Sequence, residues 1–597
     1  MAYRAPVSEI AFALNKVAGF SEHVKDGLFG DLDTDTVDAI LEEAGRFATE
    51  ALSPLNRVGD ERGAVLKDGE VVTAPGWKEA YGQFAEGGWN ALTGPEDFGG
   101  QGLPIALSMA VTEMWNGANM AFALNPLLTQ AGVEALHKYG SEELKARYLP
   151  KMVSGEWTGS MQLTEPHAGS DLRFLKTRAV PQGDGGYRLT GTKIYITYGD
   201  HDLTENIVHI VLARLPDAPE GTKGISLFLV PKFLVNDDGS IGARNDVRCA
   251  KLEHKVGIHA SPTCVMNHGD GDGALGWMVG EPNRGLYYMF TMMNQARLGV
   301  GVQGVGVAEH AYQDALTFAR ERRQGAVDDT PPGDMTPIIN LPDVRRMLMS
   351  MKAKIAAARA IWAVNAVAID VAKRGRDEAE RTKADALAAL LTPVSKAYGS
   401  DVGVEVASEA LQVHGGMGFI EETGAGQHYR DARIAPIYEG TNGIQNVDLV
   451  ARKLPMGDGE VVRGFIAGLK ETVSDVKASN ETAFGTSGEC LEAAVADLEE
   501  ATDWMLRMLS EKPDAALAGA NAYGRLFAHA AGGVLLARGA LAQLRDSSGA
   551  GADGTAQIAV ARHFAETQAP LTGGLKRSVY SVHETVLGQT ADAVFGS

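Results

Sequence analysis

Residues 430–442 read Arg-Asp-Ala-Arg-Ile-Ala-Pro-Ile-Tyr-Glu-Gly-Thr-Asn, and this stretch is the most informative part of the sequence. Glu439 lies between an apolar run and a Gly-Thr-Asn turn that precedes another helical segment. A carboxylate at such a position is usually a partner of the helix dipole in the first turn. The alternative is a general base in an apolar setting, whose pKa is raised by desolvation toward the working pH. The stretch alone leaves both interpretations open.

Two further stretches have the composition of ligand-binding loops. Residues 163–171 read Leu-Thr-Glu-Pro-His-Ala-Gly-Ser-Asp and lie where helical periodicity gives way to strands. They predict either a loop that offers N–H groups and hydroxyls to a ligand or an ordinary turn. Residues 412–419 read Gln-Val-His-Gly-Gly-Met-Gly-Phe. Their three glycines let a backbone approach a phosphate closely, although a helix C-cap followed by a loop uses glycine as well.

The pattern of apolar residues divides the chain into helical, β, helical and helical parts. A 3.6-residue recurrence predicts helices over about the first 155 residues. Short runs rich in Val, Ile, Thr and Tyr follow to about residue 279, and with no helix-length segment between them they predict an antiparallel barrel or sandwich. Helix returns at about residue 286, with a loop at 324–342 and a flexible interruption at 547–554.

The predicted fold class is therefore α+β. An N-terminal extension is followed by an N-terminal helical domain, a central antiparallel β domain, a C-terminal helical bundle and an extra helical domain. The corresponding boundaries are 1–40, 41–157, 158–284, 285–455 and 456–597.

The bulk composition excludes several classes of protein. A chain of 597 residues is long enough for several packed units, and 45% hydrophobic with 22% charged residues is typical of a globular protein. The formal net charge of -21 disfavours nucleic acid and anionic membranes as partners. The sequence contains no run of about 18 apolar residues, so no membrane span is predicted, and the N-terminus lacks the pattern of a secretory signal. Three scattered cysteines make no disulfide framework, so we expect a cytoplasmic protein.

Two patterns match cofactor or metal motifs without the context that those motifs need. Residues 299–304, Gly-Val-Gly-Val-Gln-Gly, match G-x-G-x-x-G, but both flanks read as helix, whereas a dinucleotide site needs a strand before the motif. We predict instead that these glycines lie on a closely packed helix face. Cys249, His254, His259 and Cys264 are spaced by five. Odd spacing in a strand turns side chains to opposite faces, so we predict no metal site.

Taken together and in this order, the motifs resemble the acyl-CoA dehydrogenase family, over roughly residues 84–453. TEPHAGSD is similar to the family's first signature, and QVHGGMGF followed by RDARIAPIYEGT is similar to its second. The resemblance implies an acyl-CoA dehydrogenase-like fold, an acyl-CoA substrate and FAD as cofactor. It also implies that Glu439 takes the α-proton while the β-hydrogen leaves as hydride to the flavin, giving a trans-2-enoyl-CoA.

The resemblance extends to individual contacts. Leu163, Thr164, Tyr195 and Thr197 match positions at the flavin ring, although the family often has Trp at position 195. The other matches are Ser170 at the flavin pyrophosphate, Arg322 and Gln324 reaching the FAD of a neighbouring subunit, Gln412, Gly415 and Gly416 at the adenosine-pyrophosphate portion, and Thr441 at a further FAD contact. For the substrate, the matching positions are Arg297 and Asn294 near the CoA end, together with Ser170.

Some residues depart from the family pattern. Gln324 is followed directly by Gly325, where a Phe-Gly pair usually follows the arginine. Asn294 stands where aspartate is frequent, and Gly443 where glutamine is frequent. These departures concern the inter-subunit FAD contacts and recognition of the CoA end. In branched-chain members the base immediately precedes the CoA-end arginine, and here that position is Ala296, so Glu439 keeps the role.

The layout of the whole chain narrows the expectation. The opening at residues 3–7, Tyr-Arg-Ala-Pro-Val, and the helical C-terminal extension resemble the long bacterial acyl-CoA dehydrogenases. Among these, the opening is most similar to enzymes that oxidise 3-methylmercaptopropionyl-CoA in dimethylsulfoniopropionate demethylation. The alternative is a short- or medium-chain acyl-CoA dehydrogenase of fatty-acid β-oxidation. The resemblance further implies an electron-transfer flavoprotein as partner, and we expect a homodimer in which the extension covers a subunit surface.

Two rivals share the fold but not the activity. An acyl-CoA oxidase would pass electrons to oxygen, and the sequence does not separate it from a dehydrogenase. A non-catalytic, DNA-associated flavoprotein would need a basic C-terminal domain. Residues 456–597 contain 11 Lys and Arg against 18 Asp and Glu, which disfavours nucleic acid as a partner.

Overall fold

A computed structural model of the chain describes residues 3–183, 185–545 and 552–596. Within them the elements run in the order helical, β, helical and helical, which confirms the order predicted from the apolar pattern. The predicted interruption at 547–554 lies outside the described residues as far as 551. Residues 552–554 already belong to a helix, so the interruption is shorter than predicted at that end.

Helices and one short hairpin form the N-terminal part. They are α1 (Val7–Phe12), α2 (Phe20–Lys25), α3 (Thr34–Phe47), α4 (Ser53–Arg62), β1 (Val65–Lys67), β2 (Glu70–Val72), α5 (Trp77–Glu86), α6 (Ile105–Tyr139) and α7 (Glu142–Ser154). The hairpin was not predicted. Its turn is made by Asp68 and Gly69, both with positive φ, and Asp-Gly is a strong hairpin signal that the analysis of apolar runs overlooked.

The start of α6 is capped by a residue far away in sequence. The residue before the helix, Pro104, makes no side-chain cap. Instead the carboxylate of Asp370 accepts the N–H groups of Ile105 and Ala106 at 2.7 and 2.8 Å. Burial raises the pKa of Asp370 to about 6, and the two N–H bonds act against that rise. This carboxylate therefore joins the N-terminal helices to the later helical bundle.

The β part is built around one eight-stranded sheet. Its strands and those of a small separate hairpin are β3 (Trp157–Gln162), β4 (Arg178–Pro181), β5 (Tyr187–Thr197), β6 (Asn206–Ala213), β7 (Ser226–Pro231), β8 (Phe233–Val235), β9 (Ile241–Arg244), β10 (Val247–Leu252), β11 (Thr263–His268) and β12 (Ala274–Met278). The sheet order is β10-β11-β5-β12-β7-β6-β3, with β4 on β5, and β8 pairs with β9.

One strand pair corrects the antiparallel prediction. β3 and β6 pair in parallel, with Trp157 opposite Asn206. Every residue of both strands is buried, as is typical of parallel strands covered on both faces. The chain passes through β4 and β5 between them, so the short spacing of apolar runs did not reveal the crossover.

Long helices form the bundle and the C-terminal extension. The bundle contains α8 (Gly285–Glu321), α9 (Pro342–Arg374), α10 (Glu378–His414), α11 (Ala425–Ala432) and α12 (Asn442–Asp448), and the extension contains α13 (Glu460–Ala478), α14 (Ser487–Glu511), α15 (Pro513–Arg545), α16 (Ala552–Thr567), α17 (Thr572–Leu587) and α18 (Ala591–Phe595). Of the described helices, α9 is long and apolar enough to cross a membrane, but 83% of its most apolar window is buried inside the protein.

The glycines of residues 299–304 lie in the middle of α8, where α8 crosses α10. A Cβ atom at Gly301 would lie 2.3 Å from the carbonyl oxygen of Ser395, and one at Gly304 would lie 2.2 Å from that of Gly399. The two backbones are therefore in direct contact. The prediction of a closely packed helix face is confirmed, and the motif has no strand before it.

Candidate active site

Glu439 lies on the turn between Tyr438 and α12. Its backbone is in the left-handed region with φ +54°, and Gly440 follows at φ +81°. Thr441 Oγ1 accepts the N–H of Ile444 at 3.3 Å and caps α12, so Glu439 lies outside the first turn of that helix. The interpretation as a first-turn dipole partner is therefore wrong. A non-glycine residue with this φ is strained and persists only where its surroundings hold it.

The Glu439 carboxylate is partly buried between two cations. Burial raises its pKa, and Arg297 on α8 and Lys396 on α10 act against that rise. Burial also lowers the pKa of Lys396 to about 7, opposed by Glu439 and by Asp401. Burial thus moves the pKa of this carboxylate in the direction that favours proton uptake, as a general base requires.

The side chains beside Glu439 fix the turn from both neighbouring helices. The Tyr438 hydroxyl donates to Gln303 Oε1 on α8 at 2.5 Å. The Gln445 amide donates to the carbonyl oxygen of Glu439 at 3.1 Å. Lys396 Nζ donates to the carbonyl oxygen of Gly440 at 2.8 Å. The turn is thus held from α8, α10 and α12 together.

Arg297 is the predicted residue for the CoA end of the substrate. Its guanidinium is buried, donates to Asn294 Oδ1 at 3.4 Å and lies 3.8 Å from Asp448 Oδ2. Burial lowers its pKa, and Asp448 and Glu439 act against that. Asn294 is exposed on the same helix. The structure therefore brings both residues predicted for the CoA end of the substrate to the Glu439 side of α8.

Leu163 and Thr164 leave the end of β3 and lie against β5. Thr164 O accepts the N–H of Ile194 at 2.9 Å, and Leu163 O accepts from Lys193 Nζ at 3.0 Å. Lys193 is fully buried and also pairs with Glu165 at 2.9 Å. This buried ion pair fixes the segment that the resemblance places along a flavin ring. Ser170 is exposed in the loop that follows.

Tyr195 is displayed by an irregularity in β5. Its φ is +60°, and the pairing register between β5 and β11 shifts beside it. The Tyr195 side chain is 63% exposed, although aromatic rings in strands usually pack against a neighbour. Bulges of this kind often re-aim a side chain beside an active site. Thr197, two residues on, is partly buried at the end of the strand.

A second group of predicted residues lies at the far end of the bundle. The rings of Phe318 and His414 meet at 4.6 Å, which places the ends of α8 and α10 side by side. Arg322 and Gln324 follow α8, and Gln412, Gly415 and Gly416 end α10, all of them exposed. A Cβ at Gly415 or Gly416 would meet nothing within 4 Å, so both leave the backbone open to a ligand.

The structure does not bring this second group to Glu439 within one chain. Lys396, which contacts the Glu439 turn, and Gln412 are both on α10, and at 1.5 Å rise per residue they are roughly 24 Å apart. Thr441, in contrast, directly follows the Glu439 turn. A ligand that touches both groups would therefore have to be long, or the second group would face another copy of the chain.

Three side chains that hold the Glu439 turn were not predicted from the sequence. They are Gln303, Lys396 and Gln445, all buried. The signal for Lys396 was a lone lysine in the apolar stretch Leu-Leu-Thr-Pro-Val-Ser-Lys-Ala-Tyr, which a buried pairing could have explained. Gln303 lies inside the glycine motif, in which only the glycines were interpreted.

The reasoning against a metal site at residues 249–264 was partly wrong. Cys249 and Cys264 do meet, because the register of β10 and β11 shifts after Cys249, and burial raises the pKa of the Cys264 thiol, with the contact to Cys249 adding to that rise. His254 and His259 lie on the loop between these strands and stack on each other, and His259 pairs with Asp60. In the described part of the chain, a different trio, His310, Asp314 and His428, places three potential ligand atoms within 4.8 Å. Two of its members are hydrogen-bonded, with His428 Nε2 2.9 Å from Asp314 Oδ2.

Four family models cover most of the chain. "Acyl-CoA dehydrogenase, N-terminal domain" matches residues 34–156, the middle domain matches 160–269, and the C-terminal domain matches 283–454. "Acetyl-CoA dehydrogenase C-terminal like" matches residues 462–589. The first three models together contain every residue predicted for the site.

Relatives of known name and solved structures match over the whole length. A 3-methylmercaptopropionyl-CoA dehydrogenase of Ruegeria pomeroyi is 46% identical over 91% of both chains. A crystal structure of Caenorhabditis elegans ACDH-11 in complex with C11-CoA covers 99% of this chain and 96% of its own, with TM-score 0.78 at 21% identity. A Bacillus anthracis acyl-CoA dehydrogenase complexed with FAD covers 99% and 94%, with TM-score 0.73 at 21% identity. At that identity the two structures support the fold.

Proposed function

Because this chain belongs to the acyl-CoA dehydrogenase family, and so uses FAD to oxidise an acyl-CoA, we propose that Glu439 is its catalytic base and 3-methylmercaptopropionyl-CoA its substrate. The assignment of the base rests on the surroundings of Glu439. Its backbone is strained, its carboxylate is partly buried with a raised pKa and faces two cations, and its turn is held from three helices.

Glu439 takes the α-proton of the thioester. An α C–H is a weak acid, so the base must be positioned within reach and desolvated enough to accept the proton near neutral pH. Burial raises the pKa of Glu439 in that direction, and the positive charges of Arg297 and Lys396, which favour the ionised form, act against the rise. The protein supplies this balance of burial and charge. Removing the Glu439 carboxyl charge abolishes the step.

The residues at β3 and β5 fit an isoalloxazine ring. Tyr195 presents an exposed aromatic face, and the buried Lys193–Glu165 pair fixes the Leu163–Thr164 segment beside it. Gly415 and Gly416 offer open backbone to a phosphate or a nucleotide. We assign the ring to Leu163, Thr164, Tyr195 and Thr197. FAD held by these residues would supply the acceptor for the β-hydrogen, which leaves the substrate as a hydride.

The separation of the two groups of residues supports a homodimer. The 412–416 group and Arg322 with Gln324 lie together at the far end of the bundle from Glu439. We propose that they contact the FAD of a second copy, so that each flavin is held by two chains. We also propose, from the family, that this is a cytoplasmic enzyme that passes electrons to an electron-transfer flavoprotein.

The choice of acyl chain rests on the relative that is 46% identical over 91% of both chains. The 3-methylmercaptopropionyl chain has the shape of a pentanoyl chain with sulfur in place of the CH₂ at carbon 4. Pentanoyl-CoA is therefore the matched control substrate. We expect kcat/KM for the thioether to exceed that for pentanoyl-CoA by roughly tenfold or more, within what one atom in an acyl pocket can provide. Equal values would leave a general short-chain dehydrogenase.

The assay for the base follows the flavin spectrum without oxygen. We expect 3-methylmercaptopropionyl-CoA to bleach the flavin of the parent and of Glu422→Gln, an exposed glutamate change on the loop before α11. Glu439→Gln should bind FAD normally and show no bleaching. Full bleaching by Glu439→Gln would place the base elsewhere. Peroxide formed in air at the turnover rate would indicate an oxidase, and no bleaching by any acyl-CoA would indicate a non-catalytic relative.

A further inference from the structure

Lys396 is a buried lysine whose ammonium contacts the turn that carries Glu439. It lies in the middle of α10, at the crossing where Gly301 of α8 touches the backbone of Ser395. Its Nζ donates to the carbonyl oxygen of Gly440 at 2.8 Å and to Asn442 Oδ1 at 2.8 Å. The residue is 0% exposed. A lysine is almost never buried unless it is paired, so these contacts account for its position.

Asn442 extends the hold of Lys396 on the turn. Its side-chain amide donates to Asp401 Oδ1 at 2.7 Å, to Ser400 Oγ at 3.0 Å and to the carbonyl oxygen of Ala397 at 3.1 Å. The Asn442 backbone N–H closes the turn on Pro436 O at 3.0 Å. The far end of the turn is thereby fixed to one face of α10. Lys396 is the one described cation hydrogen-bonded to this network.

The backbone of Glu439 needs such a hold. With φ +54° it occupies a region that glutamate does not favour, and the next residue is also left-handed. Lys396 binds the Gly440 carbonyl, which belongs to the peptide group between Gly440 and Thr441, one residue after Glu439. Releasing that carbonyl would let the Glu439 backbone relax toward ordinary φ and move the carboxylate. Small displacements of a base cost large factors in rate.

The charges around the carboxylate are few and come from two helices. Glu439 is faced by Arg297 of α8 and Lys396 of α10. Lys396 itself is faced by Glu439, by Asp401 on its own helix and by Arg297. Because the pKa of Lys396 is lowered only to about 7, Lys396 is protonated at acidic pH. Its charge therefore acts on the carboxylate at the moment when the base must remain ionised.

We propose that Lys396 is a positioning residue for the catalytic base, which it serves by binding the Gly440 carbonyl and Asn442 and by placing a positive charge beside Glu439. The proposal rests on Glu439 being the base. It makes Lys396 part of the reaction although it need not touch the substrate. It also explains why a lysine is buried at a helix crossing that glycines have made unusually close.

The test measures the rate of anaerobic flavin bleaching by saturating acyl-CoA from pH 5 to pH 9. In Lys396→Met we expect the rate on the plateau to fall about tenfold or more, because the turn is released. We also expect the acidic limb of the profile to move up by about one pH unit, because a neighbouring positive charge is lost. In Asn442→Ala the rate should fall while the acidic limb stays in place.

Lys354→Met is the matched control. Lys354 is a partly buried lysine on α9 that pairs with Glu405 of α10 at 2.9 Å and is not among the groups acting on Glu439. Its rate and profile should equal those of the parent. A purely structural role for Lys396 would lower the yield of folded enzyme without moving the acidic limb.

The outcomes separate this proposal from the assignment of the base. If Glu439→Gln fails to bleach but Lys396→Met bleaches at the parental rate with an unmoved acidic limb, the base stands and the role of Lys396 is refuted. If Glu439→Gln bleaches fully, the base itself is misassigned. Should Lys396→Met lose FAD, Lys396→Arg decides. A parental acidic limb in that variant supports the proposal, and a limb moved upward contradicts it.

Discussion

Replacing Gly304 by alanine should destabilise the helical bundle, because the added methyl group has no room. A Cβ there would lie 2.2 Å from the carbonyl oxygen of Gly399 and 2.7 Å from its carbon, where ordinary contacts begin at 3.4 Å. The α8 and α10 backbones would have to separate by about 1 Å. Overpacking of a core costs about 1–3 kcal/mol, and the upper end applies because backbone atoms have no rotamer by which to escape.

Alanine also gains helix propensity, which offsets part of that cost. In a helix interior the gain over glycine is about 1 kcal/mol, so we expect Gly304→Ala to be destabilised by about 2 kcal/mol net. For a cooperative unit of 150–250 residues this lowers the midpoint of thermal unfolding by about 4–8 °C. The same change at Gly464, an exposed position of α13 with nothing within 4 Å, should stabilise by about 1 kcal/mol or less.

The measurement is thermal unfolding of both variants and the parent with FAD at one saturating concentration, because bound cofactor shifts the midpoint. Opposite signs for one chemical change would show that contact between the two backbones decides the effect. If Gly304→Ala unfolds at the parental temperature, the close crossing of α8 and α10 is refuted. If Gly464→Ala falls as far as Gly304→Ala, helix packing is not the cause.

Two further substitutions test the carboxylates of Asp370 and Glu165, each of which holds a backbone segment in place. Asp370→Ala should cost about 1–3 kcal/mol in urea unfolding, because it leaves the N–H groups of Ile105 and Ala106 without an acceptor, and more than Asp377→Ala, an exposed cap of α10. Burial alone would raise the pKa of Glu165, but Lys193 and hydrogen bonds outweigh it and lower that pKa. Its contribution to stability is therefore complete above the unfolded value of about 4.3 and is lost as the pH falls below it, so Glu165→Gln should flatten the loss of urea resistance in that range. An unchanged slope would mean that other carboxylates cause the acid sensitivity.

The order of helices and strands followed from local pattern, because apolar residues that face a core recur with the period of the element that carries them. The parallel pairing of β3 and β6 did not follow, because strand direction depends on a crossover that leaves no local mark. The Asp68–Gly69 hairpin could have been predicted from its turn residues, but it stands alone among helices. Its strands are only three residues long and mostly exposed, so apolar runs gave no signal.

The Glu439 turn could be singled out from the sequence for a different reason. Glu439 was identified through the resemblance of its motif, and apolar pattern alone left a dipole partner equally open. Only the coordinates show that the residue precedes the Thr441 cap and has positive φ. The burial of Lys396 left a signal, but its contact with the turn could not be predicted, because a lysine 43 positions upstream meets the turn through the crossing of helices. Such contacts depend on how the helices pack, which cannot be deduced directly from one sequence.

The cap on α6 has a consequence for how the chain is made. Ile105 and the carboxylate that caps it are 265 residues apart, and Glu113 meets its buried partner Arg359 across 246 residues. A ribosome that adds about 5–20 residues per second needs roughly 13–53 s to cover the first of these intervals. Throughout that time the amides of Ile105 and Ala106 lack their native acceptor, because Asp370 has not been synthesised. The N-terminal helices are thus complete as synthesised chain well before they can be complete as folded structure.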